Sequence, residues 1–150
     1  MIVRAVIEAD FPELLEMIQL FEKEGCRKYG FAFDDGYVLK NMPYFAPTSL
    51  VAVENGKVIG VMAGVVSASP LSGESVYQQV FWYMRKEYRS HSAELLERAE
   101  EFIAGTLKVR MIVMCASGDE RRQTKDRFFR RKGYKLLETH YIKNIGGNDA

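Results

Sequence analysis

Four consecutive polar residues, Arg89, Ser90, His91 and Ser92, stand directly before a stretch with helical periodicity. In that stretch Leu95, Leu96, Ala99, Phe102 and Ile103 fall on one face, and Glu94, Glu97, Arg98, Glu100 and Glu101 take the other. The first amides of a helix lack intrahelical partners and carry the positive end of its dipole, so the turn before it can hold an anion. Ser90 or Ser92 can cap this helix, and Arg89 adds a fixed charge beside it. His91 has two readings: an anion contact or acid–base group, or simply an exposed residue on a polar loop. Upstream, Val76, Tyr77, Val80, Phe81, Trp82 and Tyr83 suit a buried strand. Strand, polar loop over residues 85–91, and helix form a unit that could hold an anion.

The rest of the chain must position this unit. Residues 2–7 read as a short strand. Asp10 and Glu13 form a capping box with Pro12 in the first turn, and the helix they open runs to about Glu24, where Gly25 ends it. Residues 34–42 read as a short helix, closed by Pro43 and Pro47. Residues 49–53 and 58–66 are strands joined through Asn55-Gly56, a strong hairpin signal. Residues 70–73 are a turn and 109–114 a buried strand. Residues 117–120 form a second capping box, opening a helix that reaches Lys132 and stops at Gly133; residues 134–145 are a long final strand. This order implies an α+β, three-layer α/β/α arrangement around a mainly antiparallel mixed sheet. Residues 1–145 read as one domain and 146–150 as a frayed tail.

Composition narrows the classes. The 150 residues carry a net charge of +1, with 47% hydrophobic and 27% charged residues, so no global charge points to nucleic acid or to a membrane surface. No apolar run approaches the ~20 residues needed to span a bilayer, and the N-terminus lacks the pattern of a secretory signal. Cys26 and Cys115 sit in no metal-ligand cluster and read as free thiols in a reducing cytoplasm. The two histidines, His91 and His140, make no zinc motif. Positive charge does gather in Arg121, Arg122, Lys125, Arg127, Arg130, Arg131 and Lys132. The bland reading is a solvated helix face; contact with a ribose phosphate or an acidic partner is the functional one. A basic helix could track nucleic-acid phosphates, but no recognised nucleic-acid module accompanies it.

The run WYMRKEYRS and the helix after it resemble the cofactor-binding segment of GNAT-type N-acetyltransferases. In that family a central strand enters a glycine-bearing loop and a helix, and the loop amides hold the pyrophosphate of acetyl-CoA. In this chain Ser90, His91 and Ser92 stand where the glycines would be. A second word, residues 127–134 (RFFRRKGY), resembles the family's Phe-Tyr-Glu-x-Leu-Gly-Phe/Tyr, and the element order above is also the family's. FDDGYVLKNM and THYIKNI are similar to small phage-encoded members.

The resemblance implies an acetyl-CoA-dependent N-acetyltransferase acting on an amine-bearing small molecule or protein. Tyr83, Met84, Arg89, Ser90, His91, Ser92 and Phe128 would then contact the cofactor. A backbone amide near Tyr83 or Met84 would steady the oxyanion. Glu74 is a candidate base, as are Tyr77 and Gln79 through water. The family tyrosine that protonates the leaving thiolate corresponds to Phe129, which has no proton to give, so water or Tyr134 would supply it, and Tyr134 is the candidate acid among the side chains. Arg122 stands where the family often has an asparagine. These departures imply a slow enzyme or, as the alternative, a non-catalytic GNAT-like binding or virion-associated structural protein. GNAT-like domains often pair through edge strands, which makes a homodimer an expectation.

Overall fold

A computed structural model describes residues 1–118 and 120–146. Five strands form one sheet in the order β1-β2-β3-β4-β5: β1 is Ile2–Ala5, β2 Leu50–Glu54, β3 Lys57–Ala68, β4 Ser75–Met84 and β5 Met111–Val113. All neighbours are antiparallel except β4 and β5, which run parallel. The helices are α1 (Phe11–Phe21), α2 (Asp35–Phe45), α3 (Ser92–Gly105) and α4 (Arg122–Arg131).

Alternation along the strands puts a core on each face of the sheet. On one face Leu14 and Met17 of α1 and Met42 of α2 pack on Val51, Val61, Phe81 and Tyr83. On the other, Leu96, Ala99 and Ile103 of α3 pack on Leu50, Met62 and Tyr77, with Phe128 and Phe129 of α4 alongside. The layered α+β expectation is therefore met. Asn55 (φ +50°) and Gly56 (φ +75°) make the expected hairpin turn, and Asp34 caps α2 by accepting from the Tyr37 amide at 2.8 Å.

Gly64 of β3 is dictated by packing. A methyl group there would lie 2.4 Å from Tyr77 Cζ and 2.6 Å from the Gln78 carbonyl oxygen. The Tyr77 ring lies over this glycine, and its hydroxyl donates to the Thr48 carbonyl at 2.9 Å. Gly64→Ala should destabilise the protein by about 1–3 kcal/mol, the cost of overpacking a filled core, read as a lower urea midpoint with an unchanged slope.

Several local expectations are corrected. Asp10 and Glu13 make no capping box: the Asp10 carboxylate turns back to Arg4 and the Ile7 amide, and Glu13 reaches across to the Val58 amide at 2.9 Å. The first helix does not stop at Gly25. It continues as a π-turn over Glu22–Cys26 and a 3-10 turn over Arg27–Tyr29, and ends at Gly30, whose φ of +81° a glycine adopts without strain. Pro43 lies inside α2 instead of closing it. The loop expected over 85–91 is a 3-10 helix, Lys86–His91, that runs straight into α3. The final strand is not formed. Residues 134–145 have no strand pairing, and Leu136, Leu137 and Tyr141 are exposed; the neighbouring β5 is only three residues long and offers too short a ladder to hold them. Asp119, within the second expected capping box, and residues 147–150 of the expected tail lie outside the described residues.

Candidate active site at the split between two parallel strands

The parallel strands β4 and β5 are laddered over three residues only, Val76–Gln78 against Met111–Val113. Gln79 spans the start of the gap beyond, its Oε1 accepting the Cys115 amide at 2.8 Å. At the same point β4 carries a bulge: Gly64 faces Gln79 and Ala63 faces Phe81, so Val80 is the extra residue. Bulges re-aim side chains and end pairing, and this one changes the phase of the strand. Tyr77 packs toward α3, yet Phe81 and Tyr83 pack toward α1, while Trp82 and Met84 take the α3 side. Beyond the bulge, no strand lies on the β5 side of β4 among the described residues. That edge could accept an extended, amide-bearing ligand in the manner of an added strand.

On the α1 side, Glu24 in the π-turn gathers the polar groups of the strand end. Its Oε1 accepts from the Tyr83 hydroxyl at 2.9 Å and its Oε2 from Arg89 Nη2 at 2.5 Å; Lys86 Nζ stands 3.9 Å away. Burial would push the Glu24 carboxyl up, but the hydrogen bonds from Arg89 and Tyr83 outweigh it and hold the group below the usual carboxylate range. Burial, reinforced by Glu24, pushes the Tyr83 phenol up. Arg89 also donates to the Met84 carbonyl at 3.3 Å and lies over the Tyr83 ring. It is thus turned toward α1 and away from the start of α3.

The segment carrying Ser90, His91 and Ser92 winds helically, and the Tyr88 and Ser92 amides bond back to Arg85 and Arg89. Neither serine caps α3; His91 holds the cap position without a side-chain bond, and its Nδ1 lies 3.5 Å from Glu94. The segment is anchored by Arg85, whose buried guanidinium donates to the Val58 carbonyl at 3.0 Å and to Glu16 at 2.9 Å.

On the α3 side, Trp82 meets Phe128 and Phe129 of α4 at ring distances of 6.3 and 6.1 Å. Phe129 stands edge-on to Tyr134 at 5.4 Å. The Tyr134 hydroxyl donates to Glu100 of α3 at 2.7 Å, and burial followed by that bond pushes its phenol well up. Glu74 lies in the turn before β4, bound to Arg110 at 2.7 Å and to Ser72. Val80 lies six positions further along the chain, roughly 20 Å at ~3.3 Å per residue. The structure therefore gathers Tyr83, Met84 and Arg89, continues into Ser90, His91 and Ser92, and sets Phe128 behind Trp82. It leaves Glu74 at the opposite end of β4 and turns Tyr134 toward α3. The basic helix α4 is exposed, with Arg130 bonded to Asp126 at 2.8 Å and Lys132 paired with Glu97.

Three features escape a reading of the sequence. Val80 sits in a β-branched and aromatic run with no glycine or proline to announce a bulge. Glu22 and Glu24 look like ordinary solvent-facing helix residues. Only the π-turn brings Glu24 to Tyr83 and buries Glu22, whose carboxylate takes two bonds from Arg27, at 2.9 and 2.8 Å. Between α1, α2 and the sheet lies a cavity of about 370 Å³ that reaches Val80 and Phe81.

No family model and no curated protein matches this chain. Solved structures do. An aminoglycoside acetyltransferase from an uncultured soil metagenomic sample superposes with a TM-score of 0.73 at 17% identity, over 97% of this chain and 96% of that one. The fold is that of the GNAT acetyltransferases. A ribosomal-protein-alanine N-acetyltransferase from Brucella melitensis follows with a TM-score of 0.69 at 12% identity, over 97% and 100% of the two chains. A transcriptional regulator from Bacillus halodurans shares the architecture at 0.74 and 13% identity, over 96% and 99%. The likeness is one of fold, and one GNAT-like scaffold can carry different functions.

Proposed function

We propose that this chain is a GNAT-type N-acetyltransferase that takes acetyl-CoA as co-substrate and acts on an amine in the cytoplasm. The observation that carries the reading is the split between β4 and β5 with the bulge at its start. It leaves the peptide groups of β4 beyond Val80 beside an open slot, which suits the amides of a pantetheine arm. The cations Lys86 and Arg89, with the imidazole of His91, lie at the far end of that strand, where a diphosphate would fall. No helix among the described residues is long and apolar enough to cross a membrane.

Acetyl-CoA would supply an acetyl group activated as a thioester. The chain's own contribution is placement. The β4 edge orients the ligand, and a backbone amide near Tyr83 or Met84 would meet developing negative charge. Glu24 is the better placed base than Glu74, because it shares the Tyr83 side of β4 and is held ionised. It would take the amine proton directly or through water. On the leaving side, the sequence resemblance sets Phe129 against the family's proton donor, and its ring is packed among Trp82, Phe128 and Tyr134. Without a hydroxyl there, protonation falls to water or Tyr134, and transfer is slow. The helically wound loop and the retracted Arg89 favour the alternative, a GNAT-like binding protein without turnover. Release of free thiol from acetyl-CoA in the presence of an amine panel separates the two, since a pure binder releases none above the uncatalysed rate.

Arg89 gives a sharper check. If it swings from Glu24 to the diphosphate, Arg89→Ala should weaken CoA binding by about 1.5–3 kcal/mol, the range for hydrogen bonds to charged groups, while Glu24→Gln should not weaken it. Calorimetry with CoA on both variants reads this directly. Equal, unchanged affinities would make Arg89 a brace for Glu24 and nothing more.

A further inference from the structure

The cavity on the α1–α2 side has a chemical character of its own. Its walls include Phe21, Phe31, Phe33, Phe45 and Phe81, and it reaches the bulge residue Val80. Its volume of about 370 Å³ lies in the range of small-molecule sites. Phe21 and Phe81 meet edge-on at 4.7 Å, fixing one wall. Among the described lining residues the one carboxylate is Glu22, with 11% of its side chain exposed and already bonded twice by Arg27. Burial, with Glu22 adding to it, raises the Cys26 thiol, so it brings no negative charge.

These facts select a ligand. A polyamine or aminoglycoside would bury several ammonium groups against a single carboxylate that an arginine already neutralises, and unpaired buried charge is costly. A single ammonium on an apolar body is different. One lone pair of Glu22 or the face of a ring can receive it, and the aromatic walls bury the rest. We infer that this cavity is the acceptor site and that it takes a hydrophobic monoamine of arylalkyl type. The inference rests on the proposed transferase function for the word acceptor, and on the cavity alone for the class of ligand.

The test is a calorimetric titration of the CoA-free protein with phenethylamine, phenylpropionate, spermidine and kanamycin. Phenethylamine should bind, and phenylpropionate, of similar body and opposite charge, should bind at least tenfold more weakly. The two polycations should give no saturable heat. Ala32, an exposed loop residue at the cavity wall, allows the cavity to be filled without touching the sheet: Ala32→Trp should weaken phenethylamine at least tenfold with its melting temperature retained. Should that variant not fold, Phe33→Ala serves, with the same direction expected. Saturable binding of kanamycin or spermidine without phenethylamine, or phenethylamine binding that both variants leave intact, overturns the assignment. The two readings fail separately. Phenethylamine binding with no acetylation by acetyl-CoA removes the transferase and keeps the site; acetylation of kanamycin with no phenethylamine binding does the reverse.

Discussion

Phe129→Tyr should raise turnover by about 10²–10⁴-fold, the usual contribution of a positioned acid, with little change in the affinity for acetyl-CoA. The ring of Phe129 stands against Trp82, on the part of β4 beyond the bulge, and beside Tyr134. A hydroxyl on it adds one donor to an otherwise apolar aromatic group without moving the ring. The readout is the steady-state rate of thiol release on whichever amine is acetylated, wild type against variant. A wild-type enzyme that already turns over fast, together with a silent Phe129→Tyr, would place the acid elsewhere and leave slow transfer without a cause.

The largest stability effect should come from Asp10. Its carboxylate is 5% exposed as a residue and takes two bonds from Arg4, at 2.7 and 2.8 Å, and one from the Ile7 amide at 2.9 Å. Asp10→Ala strips all three and leaves the Ile7 amide without its acceptor. The expected loss is about 3 kcal/mol, the low end for breaking a buried pair, because Arg4 is 37% exposed and keeps access to water. The pair also sets a pH dependence. The Arg4 hydrogen bonds hold the Asp10 carboxyl below its ordinary value despite burial. A group depressed in the folded state contributes its stability above the unfolded pKa, near ~3.9, and loses it as pH falls through the lower folded value. Chemical denaturation should therefore show no Asp10-dependent change between neutral pH and about 5, and an acid limb below about 4 that is flatter in Asp10→Asn.

Much of the frame is legible from patterning. The Asn55-Gly56 hairpin, the buried strand through Tyr83 and the amphipathic α3 are local signals, and each forms where its residues say. What stays hidden depends on partners distant in the chain. Asp10 prefers Arg4 and the Ile7 amide to its own helix amides, and Glu13 finds Val58 in the hairpin. The π-turn is a packing outcome that no residue type announces. The bulge at Val80 follows from the match of β4 to β3 at Gly64, where Tyr77 must lie. The segment before α3 shows the converse: its polar residues are plain in the sequence, but its winding into a helical turn and the capture of Arg89 by Glu24 are not. Residues 134–145 carry a strand's composition, yet a strand needs a neighbour long enough to pair with, and β5 supplies three residues.

Occupation of the slot beside β4 by acetyl-CoA is the step on which the transferase reading stands, and a thermal-shift and calorimetric titration of the wild-type protein with acetyl-CoA measures it. Binding should be saturable, with about 2.7 kcal/mol of added stability at a hundred times Kd, and amide hydrogen exchange should slow at whichever of Phe81, Trp82 and Tyr83 turn their amides to the open edge of β4. No heat, no shift in melting and unchanged exchange in those three residues at millimolar acetyl-CoA would contradict it.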